Sequence, residues 1–109
     1  MSKKVYTFNE ICGTVTPILQ KYAIAHAWLF GSYARNEATA ESDVDILIEG
    51  FTGEGLTAFG HLYIDISESL GKNVDLVNVE DLRRDIGNPI TQRFIHRIKK
   101  DRVSLYDKN

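Results

Sequence analysis

The chain has 109 residues, 43% hydrophobic and 26% charged, a balance that belongs to an ordinary globular domain and excludes disordered and fibrous classes. This length supports one domain over residues 1–109, able to bury roughly 60–70% of its unfolded surface without disulfides. Lys plus Arg number 13 and Asp plus Glu 15, so the net charge is −2 and no global field favours direct nucleic-acid binding. Cys12 has no partner within the chain and suits a reducing, cytoplasmic setting; no run approaches the ~18 apolar residues of a membrane span.

In chain order, Thr7 and Glu10 have the spacing of a capping box, and Ile11, Val15, Ile18, Leu19 and Tyr22 then recur at helical intervals. Pro17 either kinks that helix or opens a second one near Thr16. The apolar run Ala25 to Phe30 predicts a buried strand ending at Gly31, with Ser32 capping a short helical turn through Arg35. A second strand spans Asp43 to Glu49, with Val44, Ile46 and Ile48 on one face and Asp43, Asp45, Leu47 and Glu49 on the other. Gly50, Gly53 and Gly55 mark a loop. Leu56, Phe59, Tyr63, Ile66 and Leu70 then make a helical stripe that Gly71 ends. Val74 to Val79 reads as a third strand, reached by a crossover. Asn88-Pro89 opens a last helix with Ile90, Phe94, Ile95 and Ile98 as its apolar stripe, before a short edge strand from Val103 to Tyr106. Alternating helices and three or four strands imply an α/β class, with helices packed on a small mixed sheet.

The chemistry concentrates in Gly31-Ser32-Tyr33-Ala34-Arg35 and, separated from Ser32 by ten residues, Asp43-Val44-Asp45. Asp is depleted in strands, yet here two carboxylates at i and i+2 point the same way and repel each other. A divalent cation relieves that repulsion, and carboxylates are what Mg²⁺ takes when it also holds substrate phosphates. A glycine closing a buried strand lets backbone approach a phosphate, Ser32 adds a hydroxyl, and the following turn offers N–H groups. Arg35 is within reach of phosphate oxygens. Asp75, on the neighbouring strand, is placed to supply a third carboxylate.

The Gly-Ser, ten residues, Asp-x-Asp pattern resembles the minimal nucleotidyltransferases of the DNA polymerase beta superfamily. The likeness runs through Leu29-Phe30-Gly31-Ser32, Ala34-Arg35, Ser42-Asp43-Val44-Asp45 and Gly71-Lys72-Asn73-Val74-Asp75-Leu76-Val77. It implies a palm-like nucleotidyltransferase core in which Asp43, Asp45 and Asp75 bind metal and act catalytically. Gly31, Ser32, Arg35 and Ser42 then bind the nucleotide. Mg²⁺, with Mn²⁺ as a substitute, is the implied cofactor and ATP the implied substrate. Small stand-alone members are often antitoxins of HEPN-type ribonuclease toxins, which the resemblance implies they silence by moving AMP onto a toxin tyrosine. Tyr33 stands where relatives often carry a basic residue, and Asn36 where glycine is common.

Bland readings stand beside these. On these, Asp43 merely caps a turn, Asp45 forms a salt bridge and Asp75 simply pairs with a lysine or arginine, but two acids on one strand face gain little without a counter-ion. Arg35 suits an ordinary surface contact. His26, His61 and His96 lack metal-ligand spacing, so no zinc is expected. Arg93, Arg97, Lys99, Lys100 and Arg102 complement the dipole of the last helix, or form a docking face for an acidic partner. Trp28 and Phe30 read as core. Three functions follow: an antitoxin enzyme acting within a homo- or hetero-oligomer, a non-catalytic module that neutralises a toxin by covering it, and an antibiotic-type small-molecule nucleotidyltransferase.

Overall fold

Thr7 starts the first helix by reciprocal capping: its Oγ1 accepts from the Glu10 N–H at 3.1 Å, and its own N–H donates to Glu10 Oε1 at 2.9 Å. The computed structural model describes residues 4–108, and in it this helix, α1 (Phe8–Lys21), runs unbroken through Pro17. The carbonyl that Pro17 deprives of a helical bond belongs to Gly13. Ile11, Val15 and Leu19 form its buried face.

Four strands, β1 (His26–Phe30), β2 (Val44–Glu49), β3 (Val74–Asn78) and β4 (Val103–Asp107), make one mixed sheet in the order β3-β2-β1-β4. β1 is antiparallel to both neighbours, while β2 and β3 are parallel and joined by α3 (Gly55–Leu70), the crossover that alternation predicts. Gly71, at φ 64°, ends α3 in the left-handed conformation expected of it. β4 is the edge strand beside β1.

The main core lies between one sheet face and the helices α1 and α3. Ala27 and Leu29 of β1 and Val44, Ile46 and Ile48 of β2 meet Ile11, Val15 and Leu19 of α1 and Leu62, Ile66 and Leu70 of α3. The apolar stripe of α3 differs from the expected one: Leu56 is 86% exposed and Tyr63 37% exposed. Leu56 sits in the first turn with nothing over it, and Leu62, four residues before Ile66, takes the position assigned to Tyr63.

The opposite face carries a smaller core of Phe30, Leu47 and Ile98, flanked by Trp28, Val77, Val79, Leu82 and Phe94. Two helices cover it, α4 (Val79–Arg84) and α5 (Pro89–Asp101). α4 is not among the elements expected from sequence. Val79, read as the end of the third strand, opens it, because the Asn78 side chain accepts from the Glu80 N–H at 3.1 Å and turns the chain. Asn88 caps α5 as expected, accepting from the Ile90 N–H at 2.9 Å. The α5 stripe is narrower than expected, with Ile98 buried and Ile90 73% exposed.

Candidate active site

The sheet register assembles the acids. In β2, Val44, Ile46 and Ile48 are fully buried in the main core, and pleating turns Asp45 to the opposite face, with Asp43 two residues before it. β3 pairs in parallel register, so Asp45 lies directly beside Asp75, as Val44 does beside Val74. The Val44 N–H donates to the Asn73 carbonyl at 3.0 Å, fastening the entry to β2 to the entry to β3. The Lys72 ammonium, almost fully buried, donates to the Ala40 carbonyl at 3.1 Å and ties down the loop leading to Asp43.

These three carboxylates act on one another. Half-burial, then the charges of Asp75 and Asp43, push Asp45 up to about 6, against the opposing pull of Arg35. None of the three has a hydrogen bond or ion pair among the described residues. Nor, among those residues, do three His, Cys, Asp or Glu side chains close a metal cage by themselves. Mg²⁺ bound with a nucleotide uses one or two carboxylates, completing its shell with phosphate oxygens and water. An unpaired, mutually repelling carboxylate group fits that open kind of coordination.

β1 brings the glycine to the acids. Phe30 is the register partner of Asp45, and Gly31 follows at φ 72° as the first residue of the one-turn helix α2 (Gly31–Ala34). A Cβ built on Gly31 falls 2.0 Å from Asp45 Oδ2, so only glycine leaves that carboxylate its place. Ser32 therefore lies inside the turn, and Phe30 takes the cap position expected of Ser32, because the left-handed Gly31 starts the turn straight from the strand. Asn36, at φ 60°, holds a left-handed position, the conformation for which glycine and asparagine are the two ready choices. The Tyr33 ring packs into the main core, and its hydroxyl has no hydrogen-bond partner there.

A cleft of about 220 Å³ opens over this group, lined on the sheet side by Phe30, Gly31, Asp45 and Asp75 and on the α5 side by Phe94, Arg97, Ile98 and Asp101. Arg35 lines it too, with its guanidinium committed: Nε donates to Glu37 and Nη1 to Asp101, both at 2.8 Å, and these bonds raise its pKa. Ser42 shapes a turn, its hydroxyl accepting from the Thr39 N–H at 2.9 Å. The α5 residues of the cleft belong to no sequence motif. The Phe94 and Ile98 stripe marks the inward face of α5, but no spacing rule links that face to Gly31, some 60 residues earlier. Phe94 meets Phe30 edge-on, ring centroids 5.9 Å apart, and closes the cleft on that side.

A family model described as polymerase beta, nucleotidyltransferase matches residues 14–109. A Methanocaldococcus jannaschii protein provisionally named a protein adenylyltransferase is 39% identical over 95 residues, covering 87% of this chain and 88% of its own. The protein adenylyltransferase MntA of Thermococcus cleftensis is 31% identical over 94 residues, covering 83% and 95%. Among solved structures, a toxin-antitoxin with AMP-PNP superposes at a TM-score of 0.69 with 20% identity, covering 90% of this chain and 74% of that one. The complex of a tri-AMPylated Shewanella oneidensis HEPN toxin with an MNT antitoxin gives 0.65 with 16% identity, covering 94% and 74%. The fold is thus one these structures share, and the match over nearly the whole sequence makes this chain a member of the polymerase beta nucleotidyltransferase family.

Proposed function

We propose that this nucleotidyltransferase is a Mg²⁺-dependent protein adenylyltransferase, moving AMP from ATP onto a tyrosine hydroxyl of a HEPN-type toxin and so acting as its antitoxin in the cytoplasm. The observation that carries the site is the side-by-side register of Asp45 and Asp75, with Asp43 two residues before and Gly31 packed against the Asp45 carboxylate. The relatives named protein adenylyltransferases support the reaction, and the toxin complexes of the same fold support the partner.

In the reaction the acceptor oxygen bonds to the α-phosphorus, the bond from that phosphorus to the bridging oxygen breaks, and pyrophosphate leaves. Asp43 and Asp45, with Asp75 beside them, would hold Mg²⁺, which when bound would supply positive charge to the phosphate oxygens and ease deprotonation of the attacking hydroxyl. Asp75, exposed on the edge strand β3, takes the acceptor's proton. The backbone of Gly31 and Ser32 faces the β- and γ-phosphates with amides that the one-turn helix leaves without internal partners. Phe94 and Ile98 roof the cleft with apolar surface and limit water around the reacting atoms.

The test is transfer from α-labelled ATP in Mg²⁺ to the protein that co-purifies with this chain, beside the double variant Asp43→Ala, Asp45→Ala. Label on the partner, lost with toxin protection in the variant, is the expected result. A partner that binds both forms, is neutralised by both and never takes label makes the chain a covering module instead. Product formed with no second protein present identifies a small-molecule acceptor.

A further inference from the structure

The cleft has unpaired acids on the sheet wall and an unpaired cation on the α5 wall, where the acid Asp101 is already held by Arg35. Asp45 and Asp75 stand on the sheet, unpaired, while Arg97 of α5 faces the same cleft and forms no hydrogen bond or ion pair among the described residues. The other arginine there, Arg35, is anchored by Glu37 and Asp101. Arg97 makes no ion pair with either cleft carboxylate across the gap, and it is not among the charges that shift Asp45. A ligand completing both walls must present a cation to the sheet and an extended anion to α5, which is the charge distribution of a metal-bound nucleoside triphosphate.

We propose that Arg97 is the residue that grips the β- and γ-phosphates, and then the departing pyrophosphate, in place of Arg35. The assignment rests on the adenylyltransferase reading above and adds to it a residue from outside the glycine and aspartate motifs. A guanidinium is permanently charged and offers paired N–H donors matched to phosphate oxygens. Its position on α5 places it across the cleft from Gly31, so the triphosphate is held between strand-end backbone and helix side chain. Arg35 acts as a positioning residue, its bond to Asp101 fastening the end of α5 to the Gly31 turn and so setting the width of the cleft.

The experiment is calorimetric titration of the full chain, in Mg²⁺, with ATP, AMP and inorganic pyrophosphate, on the wild type, Arg97→Gln, Arg97→Lys and Arg93→Gln. Arg97→Gln weakens ATP and pyrophosphate by about 10- to 100-fold, as loss of a charge-assisted hydrogen bond does, and leaves AMP affinity and Tm unchanged. Arg97→Lys recovers part of the loss because charge returns without the fork. Arg93→Gln, one turn earlier and outside the cleft lining, binds as the wild type does. Arg97→Gln binding ATP with wild-type affinity overturns the assignment. So does a loss that falls equally on AMP or comes with a lower Tm, since that is a structural effect. A wild-type chain that binds no ATP at all sinks the adenylyltransferase reading itself, and the assignment with it.

Discussion

At Gly31 backbone conformation and site chemistry impose the same requirement. The φ of 72° is one that side chains resist, and the space a Cβ needs is occupied by the Asp45 carboxylate. Gly31→Ala therefore strains the backbone by about 1–2 kcal/mol, or roughly 4–8 °C of Tm per kcal/mol in a domain of this size. It also pushes Asp45 off its position. The expected outcome is a moderate fall in Tm with near-complete loss of AMP transfer; a variant that melts lower yet transfers normally shows that the close approach has no catalytic role. This glycine was legible in the sequence as the end of a buried strand, and so were Asp43 and Asp45, because strand alternation depends only on neighbouring residues. Ser32 and Ser42 were less so. Each is a small polar residue in a turn, where the choice between binding a ligand and bonding to local backbone depends on geometry that spacing does not fix.

At the scale of elements, α3 is the crossover that makes β2 and β3 parallel and so puts Asp45 beside Asp75. Leu62 and Ile66, both fully buried, seat it on the sheet. Ile66→Ala should cost about 2–5 kcal/mol, the range for a truncated core side chain, whereas Leu56→Ala, at an exposed position, should fall within about 0.5 kcal/mol of the wild type. Chemical denaturation of both variants checks this, and equal losses at the two sites refute the burial pattern given for α3. The bounds of α3 were readable from Gly55 and Gly71, but its inward face was not, since Tyr63 and Leu62 are both apolar enough to fit a stripe and differ by one residue of rotation. α4 was hidden for a related reason. Val74 to Val79 reads as one β-branched run, and a single side-chain cap from Asn78 breaks it. The α5 contribution to the cleft depends on long-range packing of Phe94 and Ile98 against Phe30 and Leu47, which local pattern does not encode.

For the molecule as a whole, the site trades folding stability for charge. Asp45 ordinarily ionises near 3.8 and is raised to about 6 by burial and by Asp75 and Asp43. The fold thus favours its protonated form. That contribution is fully present below the unfolded value, near 3.8, and is lost as pH rises through about 6. Asp45→Asn removes the ionisation, so without ligands its Tm should exceed the wild-type value at about pH 7.5, with the gap closing toward about pH 4. On the proposed function, Mg²⁺ with ATP acts in the opposite sense, since a cation taken up by ionised carboxylates of the folded chain stabilises that chain alone. Its stabilisation of the wild type should grow as pH rises past about 6 and be largely absent in Asp45→Asn. Thermal melts across that range, with and without Mg²⁺ and ATP, measure both effects. Parallel pH profiles for the two proteins would show that Asp45 carries no strained charge, and a ligand-induced rise in Tm surviving intact in Asp45→Asn would move the metal elsewhere.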